Sequence, residues 1–517
     1  MDRGSCFLKN GDRWLLIGDS ITNIDTYRQV ALRILQHYHP DADIMVGNSA
    51  VSGVTSDYSE KRAFTPTVVT IMLGMNDIIH QDWSFTPDLT QKTEAFRKDI
   101  TEKVHRYQQL GAEVILMTPT YTDERFSTFF NVAMTRRFLE AYGNVIREIA
   151  AAEHCHWVPV AEEMEAFQDT LGIDQHVRHD GVHPNGLGQY QIARTLWQHM
   201  NFAGKLDGTR RLITPAPPLA LKARLVSRFM HTPADGVTLA LSAEAPHSLT
   251  ASWSLGKARG SETLTIGPTE TNWRIPVPAA ELETPLGTDR RMVVEFDDGA
   301  RQRVCIVDLA RTRVLHMRNG TVSGEIRSEE ERPEGKLVAR YTLEDLGKEL
   351  WISGEVFDSE LVWDTYWPFA RDGVQIWLDP RPAARFADIN PDREVSDLML
   401  TVRDHPRFCV APVAWVNPRL MYAVTAGGEK TPTGYRWHCC LAGKLSDVRP
   451  LGLDKLDYFG INLFVCDNDT KPVPATHFYS AQQVPTDQIG ALNLLMIVDR
   501  KGVFPGEETT NLHLFAQ

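Results

Sequence analysis

Four short polar clusters in the first 190 residues carry the residue types of one reaction. They are Gly18-Asp19-Ser20, the run NSAVSG ending at Gly53, the run LGMND with Asn76, and the run DGVHPN with Asp180 and His183. A serine hydroxyl becomes a nucleophile when a base takes its proton, and imidazole suits that task near neutral pH. The imidazole needs a carboxylate on its other nitrogen to set tautomer and orientation. The tetrahedral intermediate of acyl transfer carries an oxyanion, which preorganised donors must meet. Every part has a candidate here. Ser20 is the nucleophile, His183 the base, and Asp180, three residues earlier, the orienting carboxylate. Ser20 N–H, Gly53 N–H and the Asn76 amide are the oxyanion donors, glycine being the residue that lets backbone approach a ligand closely. Each cluster alone is an ordinary turn or helix cap. The case for chemistry is that all four occur in this order, each at an expected strand end.

The elements that must position them are legible in the same stretch. Up to about His199, short apolar runs alternate with amphipathic helical segments. RWLLIGDS, DADIMVGNS, FTPTVVTIMLGMND, GAEVILMTPT and CHWVPVAEE read as strands. Helices are expected through TYRQVALRILQHYH, from about Thr90 to Leu110, and near RRFLEAYGNVIREIAAAEH. Apolar runs without polar alternation are those of parallel strands buried on both faces. The alternation predicts a parallel sheet with helices on both sides, which binds ligands beyond the carboxyl ends of its strands. At LDGTRRLITPAPPLAL the character changes, and PAPP reads as a linker. RMVVEFDDGARQRVCIVDL then reads as a hairpin about Asp297-Asp298-Gly299. The expected division is an α/β domain over 1–205, a small β-sandwich over 215–317 and a larger β-domain over 320–517. Since every candidate catalytic group precedes about 205, a piece ending near Asp207 is expected to turn over small esters unaided.

Composition narrows the classes further. A chain of 517 residues is too long for one core. A net charge of −13 argues against a nucleic-acid partner. No apolar run approaches the roughly 20 residues that span a bilayer, so no membrane partner is expected. No basic segment followed by an apolar stretch marks a signal peptide. The expected location is cytoplasmic as the chain stands, or secreted or periplasmic had a leader been removed. Seven cysteines without a CxxC pair suggest neither zinc nor a disulfide scaffold, and no metal or cofactor is expected. Oligomeric state is not legible.

The motifs IGDSIT, NSAVSG, LGMND and DGVHPNGLG resemble the four blocks of the SGNH (GDSL-type) hydrolases, serine esterases on a flavodoxin-like, three-layer α/β/α fold. The resemblance covers roughly residues 12–200 and implies Ser20, Gly53, Asn76 and His183 as the namesake residues, with Asp180 completing the triad. The chain departs from the pattern at Ala50, where many members carry glycine; that position is not an oxyanion donor. There is no GxSxG, the nucleophile elbow of the α/β-hydrolases. Further on, LWISGEVFDSELVWDTYWPFARDGVQIWLDP and DYFGINLFVCDND resemble family 9 carbohydrate-binding modules over roughly 328–505. Trp363, Tyr366 and Trp367 form an aromatic cluster there, placed either to stack on sugar rings or to cap the sandwich core. With Asp19 beside the nucleophile, these are the candidate substrate-binding residues. The expectation is an esterase that removes O-acyl groups, acetyl first among them, from a carbohydrate. The alternatives are a lysophospholipase or short-chain arylesterase, and a glycan-binding protein with a vestigial hydrolase domain.

Overall fold

A computed structural model describes residues 3–61, 64–79, 88–122, 132–171, 181–283, 289–328, 336–347, 349–358, 360–362, 372–379, 396–404, 407–413, 423–442, 456–469, 475–481 and 496–515. The N-terminal part is built on five strands, β1 (Arg13–Gly18), β2 (Met45–Asn48), β3 (Val68–Met72), β4 (Glu113–Met117) and β5 (His156–Val158). They pair in the order β2-β1-β3-β4-β5, all parallel. Among the described residues seven helices accompany them: α1 (Ser20–Asn23), α2 (Thr26–Tyr38), α3 (Met75–Ile79), α4 (Leu89–Gln109), α5 (Val132–Ala152), α6 (Val160–Leu171) and α7 (Gly186–Met200).

The uninterrupted apolar runs have a direct explanation in this architecture. Successive side chains of a strand point to opposite faces. Trp14, Leu16, Val68 and Met72 pack with α2 and α7, while Leu15, Ile17, Val69 and Ile71 pack with α4 and α5. Both faces are therefore covered, and neither tolerates polar alternation. The strand order reverses direction at β1 and β3, which makes the crevice outside their carboxyl ends the natural ligand site. The expected parallel sheet with helices on both faces is thus present.

The remainder is dominated by β-sheet. The hairpin expected about Gly299 joins Asp289–Asp297 to Gln302–His316, with Asp297 opposite Gln302. Gln302–His316 is a long strand that also pairs antiparallel with Glu508–Phe515 and parallel with Met496–Asp499. The strand nearest the C-terminus, which the sequence places with the third segment, therefore hydrogen-bonds within the sheet of the second. Farther along, five strands from Thr321–Arg327 to Gly434–Ala442 form one sheet. It shares a core with strands of the neighbouring sheet, Tyr341, Ile352 and Trp437 meeting Val374, Leu400 and Leu463.

A single apolar core joins the α/β and β-rich parts. It includes Tyr27, Leu187 and Tyr190 from the first with Leu239, Val294, Val304, Leu512 and Phe515 from the second. Among the described residues no helix is long and apolar enough to cross a membrane.

Candidate active site

The site is built at the carboxyl ends of β1, β2 and β3. Strand β1 ends at Gly18, where a Cβ would lie 2.0 Å from Thr22 Oγ1 and 3.0 Å from Met72 O. Only glycine lets the chain turn this tightly from β1 into α1 against the end of β3. Asp19 caps α1, its carboxylate accepting from Ile21 N at 2.9 Å. Ser20 is thereby the first residue of α1, and its Oγ lies 2.8 Å from His183 Nε2. These two side chains, 163 residues apart in sequence, are the pair that nucleophile and base require.

His183 is delivered by the segment before α7. Gly181 turns there with φ +73, Val182 is buried in the core, and Asn185 caps α7 by accepting from Gly188 N at 3.0 Å. Inside α7, Gln189 accepts from Tyr27 N and donates to Ile21 O, both at 3.1 Å. One side chain so locks the helix behind His183 to the turn that presents Ser20. Sequence reasoning misses Gln189, because a glutamine within a helical run reads as a solvent-facing residue. Asn48 at the end of β2 plays a similar part, donating to Thr22 O at 3.0 Å and Asp25 Oδ1 at 2.7 Å. Its own Oδ1 accepts from Ala50 N at 2.9 Å. An asparagine that ends a strand and bonds two residues on was its available signal.

Gly53 stands in the loop after β2, exposed and at φ +80, a conformation that favours glycine. Asn76, in α3 after β3, is 6% exposed and donates from Nδ2 to Val54 O at 3.0 Å. The loop holding Gly53 and the helix holding Asn76 are thus joined directly. Asn23 of α1 donates to Ser52 Oγ at 3.1 Å, tying the same loop to the nucleophile's helix.

Asp19, a candidate substrate contact by its place beside the nucleophile, caps α1 through Ile21 N and is 2% exposed. Burial raises its carboxyl to about 6, against the opposing pull of Ile21 N–H and of His183. Asp180, Trp363, Tyr366 and Trp367 lie outside the described residues. For a metal, one trio of acidic side chains among the described residues converges, Asp358, Asp372 and Asp467, with carboxylate oxygens within 4.8 Å of one another; all three belong to the C-terminal β-rich part. The described cysteines are free thiols.

Residues 16–190 match the model of the GDSL-like Lipase/Acylhydrolase family. No curated protein matches the chain. Among solved structures, Axe2, an acetylxylan esterase from Geobacillus stearothermophilus, aligns at 25% identity over 38% of this chain and 96% of its own, with a TM-score of 0.32. LAE5, an alpha/beta hydrolase enzyme from the metagenome of Lake Arreo, Spain, aligns at 21% identity over 39% of this chain and 100% of its own, with a TM-score of 0.32. The stretch from 16 to 190, which carries Ser20, Gly53, Asn76 and His183 in that order, is a GDSL-like lipase/acylhydrolase domain.

Proposed function

We propose that the protein is a serine esterase that removes O-acyl groups, acetyl above all, from a carbohydrate. The observation that carries the esterase reading is the 2.8 Å contact of Ser20 Oγ with His183 Nε2 at the switch point of the parallel sheet. In this reading Ser20 Oγ attacks the ester carbonyl carbon while its proton passes to His183 Nε2. Ser20 N–H, Gly53 N–H and the Asn76 amide receive the oxyanion. Asp180, through the other ring nitrogen, favours the imidazolium. The carbonyl then re-forms, the alcohol departs with the proton from His183, and an acyl-Ser20 ester remains. Water, deprotonated by His183, releases the acid by the same route in reverse. The carbohydrate part of the reading draws on the resemblance of residues 328–505 to carbohydrate-binding modules.

The test is hydrolysis of p-nitrophenyl acetate by the full chain, with Ser20→Ala as control, followed by acetate release from acetylated xylans and pectins. Turnover that Ser20→Ala abolishes, with the fold intact, supports the esterase. Covalent labelling of a different serine overturns the assignment, and failure on every acetylated polysaccharide overturns the substrate class.

A further inference from the structure

In the loop after β2, Ser49 N and Val51 N still bond the β1 carbonyls of Leu16 and Gly18, and beyond them side chains meet further backbone groups. Asn76 meets Val54 O, and the next residue, Asp77, meets Ser56. Both carboxylate oxygens of Asp77 accept from Ser56 N, at 3.0 and 3.1 Å, and Asp77 Oδ1 also accepts from Ser56 Oγ. Asp99, on α4, approaches the same hydroxyl at 3.0 Å. A hydroxyl has one proton and donates to one carboxylate at a time. The standing bond between Asp77 and the loop is therefore the backbone N–H of Ser56.

This arrangement is costly for a group that merely fills space. Asp77 is 6% exposed and Ser56 1% exposed. Burial pushes the Asp77 carboxyl up, the bonds from Ser56 oppose it, and the charge of Asp99 adds to the rise. Burying a carboxylate is tolerated where its hydrogen bonds are needed. Here they join α3, which holds Asn76, to a point three residues beyond Gly53.

We propose that Asp77 is a positioning residue for the oxyanion donors, clamping Ser56 so that Gly53 N–H and the Asn76 amide address one oxygen. The inference rests on the esterase reading above. Asp77 itself touches neither substrate nor nucleophile in this scheme; it acts through the two donors that flank its bonds. Displacement of a positioned group by about 1 Å can cost on the order of 100-fold in rate.

The experiment is a double-mutant cycle on the full chain with p-nitrophenyl acetate. Asp77→Ala is expected to lower kcat by about 10- to 100-fold with KM within about twofold. In an Asn76→Ala background the same change is expected to cost less than about threefold, because the donors it aligns are already impaired. Asp77→Asn, whose side-chain oxygen can still accept from Ser56 N, should recover most of the lost kcat. Should Asp77→Ala not fold, Asp77→Ser, too short to reach Ser56, is read in the same way. Equal losses in both backgrounds, or a change in KM alone, overturn the proposal. A wild-type chain without Ser20-dependent turnover overturns the esterase reading and this inference with it. Normal turnover with kcat indifferent to Asp77 overturns only the inference.

Discussion

Asn76 spends one of its two side-chain N–H groups on Val54 O, and in the proposed scheme the other meets the oxyanion. Its loss should therefore be felt in the transition state rather than in binding. Asn76→Ala is expected to lower kcat by about 10²–10³ with KM little changed, as removal of one oxyanion donor does. Steady-state kinetics on p-nitrophenyl acetate checks this, and a rise in KM alone would make Asn76 a substrate contact instead. Asp19 gives a prediction about stability. Its carboxyl is raised to about 6 by burial, above the ordinary aspartate value. The folded state thus holds this proton more tightly than the unfolded chain does. Stability contributed here is present at low pH and is lost as pH rises from about 4 to about 6. Asn is an equally good N-cap and carries no charge to bury. Asp19→Asn should gain on the wild type across that interval and hold a constant advantage above it. The shift corresponds to on the order of 2–3 kcal/mol. Thermal melts from pH 4 to 8 decide it, and a difference that does not vary with pH would refute the argument.

At the scale of elements, the buried Gln189 bonds α7 to the α1–α2 turn at two backbone groups, Tyr27 N–H and Ile21 C=O. Gln189→Met keeps much of the shape but leaves Tyr27 N–H and Ile21 C=O without that partner. Each such group costs about 1–3 kcal/mol when buried unsatisfied, so a loss of about 2–4 kcal/mol in urea unfolding is expected. Because Ile21 follows Ser20 and Gln189 sits on the helix that follows His183, kcat should fall too; an unchanged unfolding midpoint would contradict the clamp. These elements also show what a sequence can reveal. The four clusters holding Ser20, Gly53, Asn76 and His183 stand out in the sequence because the glycine, asparagine and proline chemistry that links a strand end or loop to a helix is local. The double-faced burial of β1 and β3 was legible in their unbroken apolar runs. Gln189 was not, since its partners lie more than 160 residues away and nothing in GLGQYQ marks it. The same limit hid the return of Glu508–Phe515 to Gln302–His316, a pairing set by packing rather than by either strand's own residues. The capping bond of Asp19 to Ile21 N was hidden too, since adjacency to a nucleophile says nothing about which way a carboxylate faces.

For the whole molecule, the decisive feature is the continuous core between the α/β part and the β-rich sheets. Polar contacts also cross this junction. His37 meets Ser254 Oγ at 2.8 Å, and Tyr38 OH donates to Glu295 at 3.1 Å. Arg259 donates to the carbonyls of Gln36 and His37 at the end of α2, both at 2.8 Å. Tyr190 OH, fully buried in α7, donates to Val304 O. At the start of α7, Phe515 packs so close to Gly186 that a Cβ there would lie 2.7 Å from its ring. A chain ending near Asp207 keeps Ser20, Gly53, Asn76, Asp180 and His183 but uncovers the outer faces of α2 and α7. It should therefore be a poor independent unit, contrary to what the position of the motifs alone suggests. Exposing a contiguous apolar face favours association as well as unfolding. We expect Tm to fall by about 10 °C or more, the equivalent of several kcal/mol for a domain of this size. We also expect concentration-dependent aggregation. Activity per folded molecule on p-nitrophenyl acetate should stay within the same order of magnitude, since no proposed catalytic group is removed. Thermal melts, light scattering and active-site titration of both chains separate these effects. A truncated chain as stable as the full one would mean that the shared core contributes little, and that the two parts are separable modules after all.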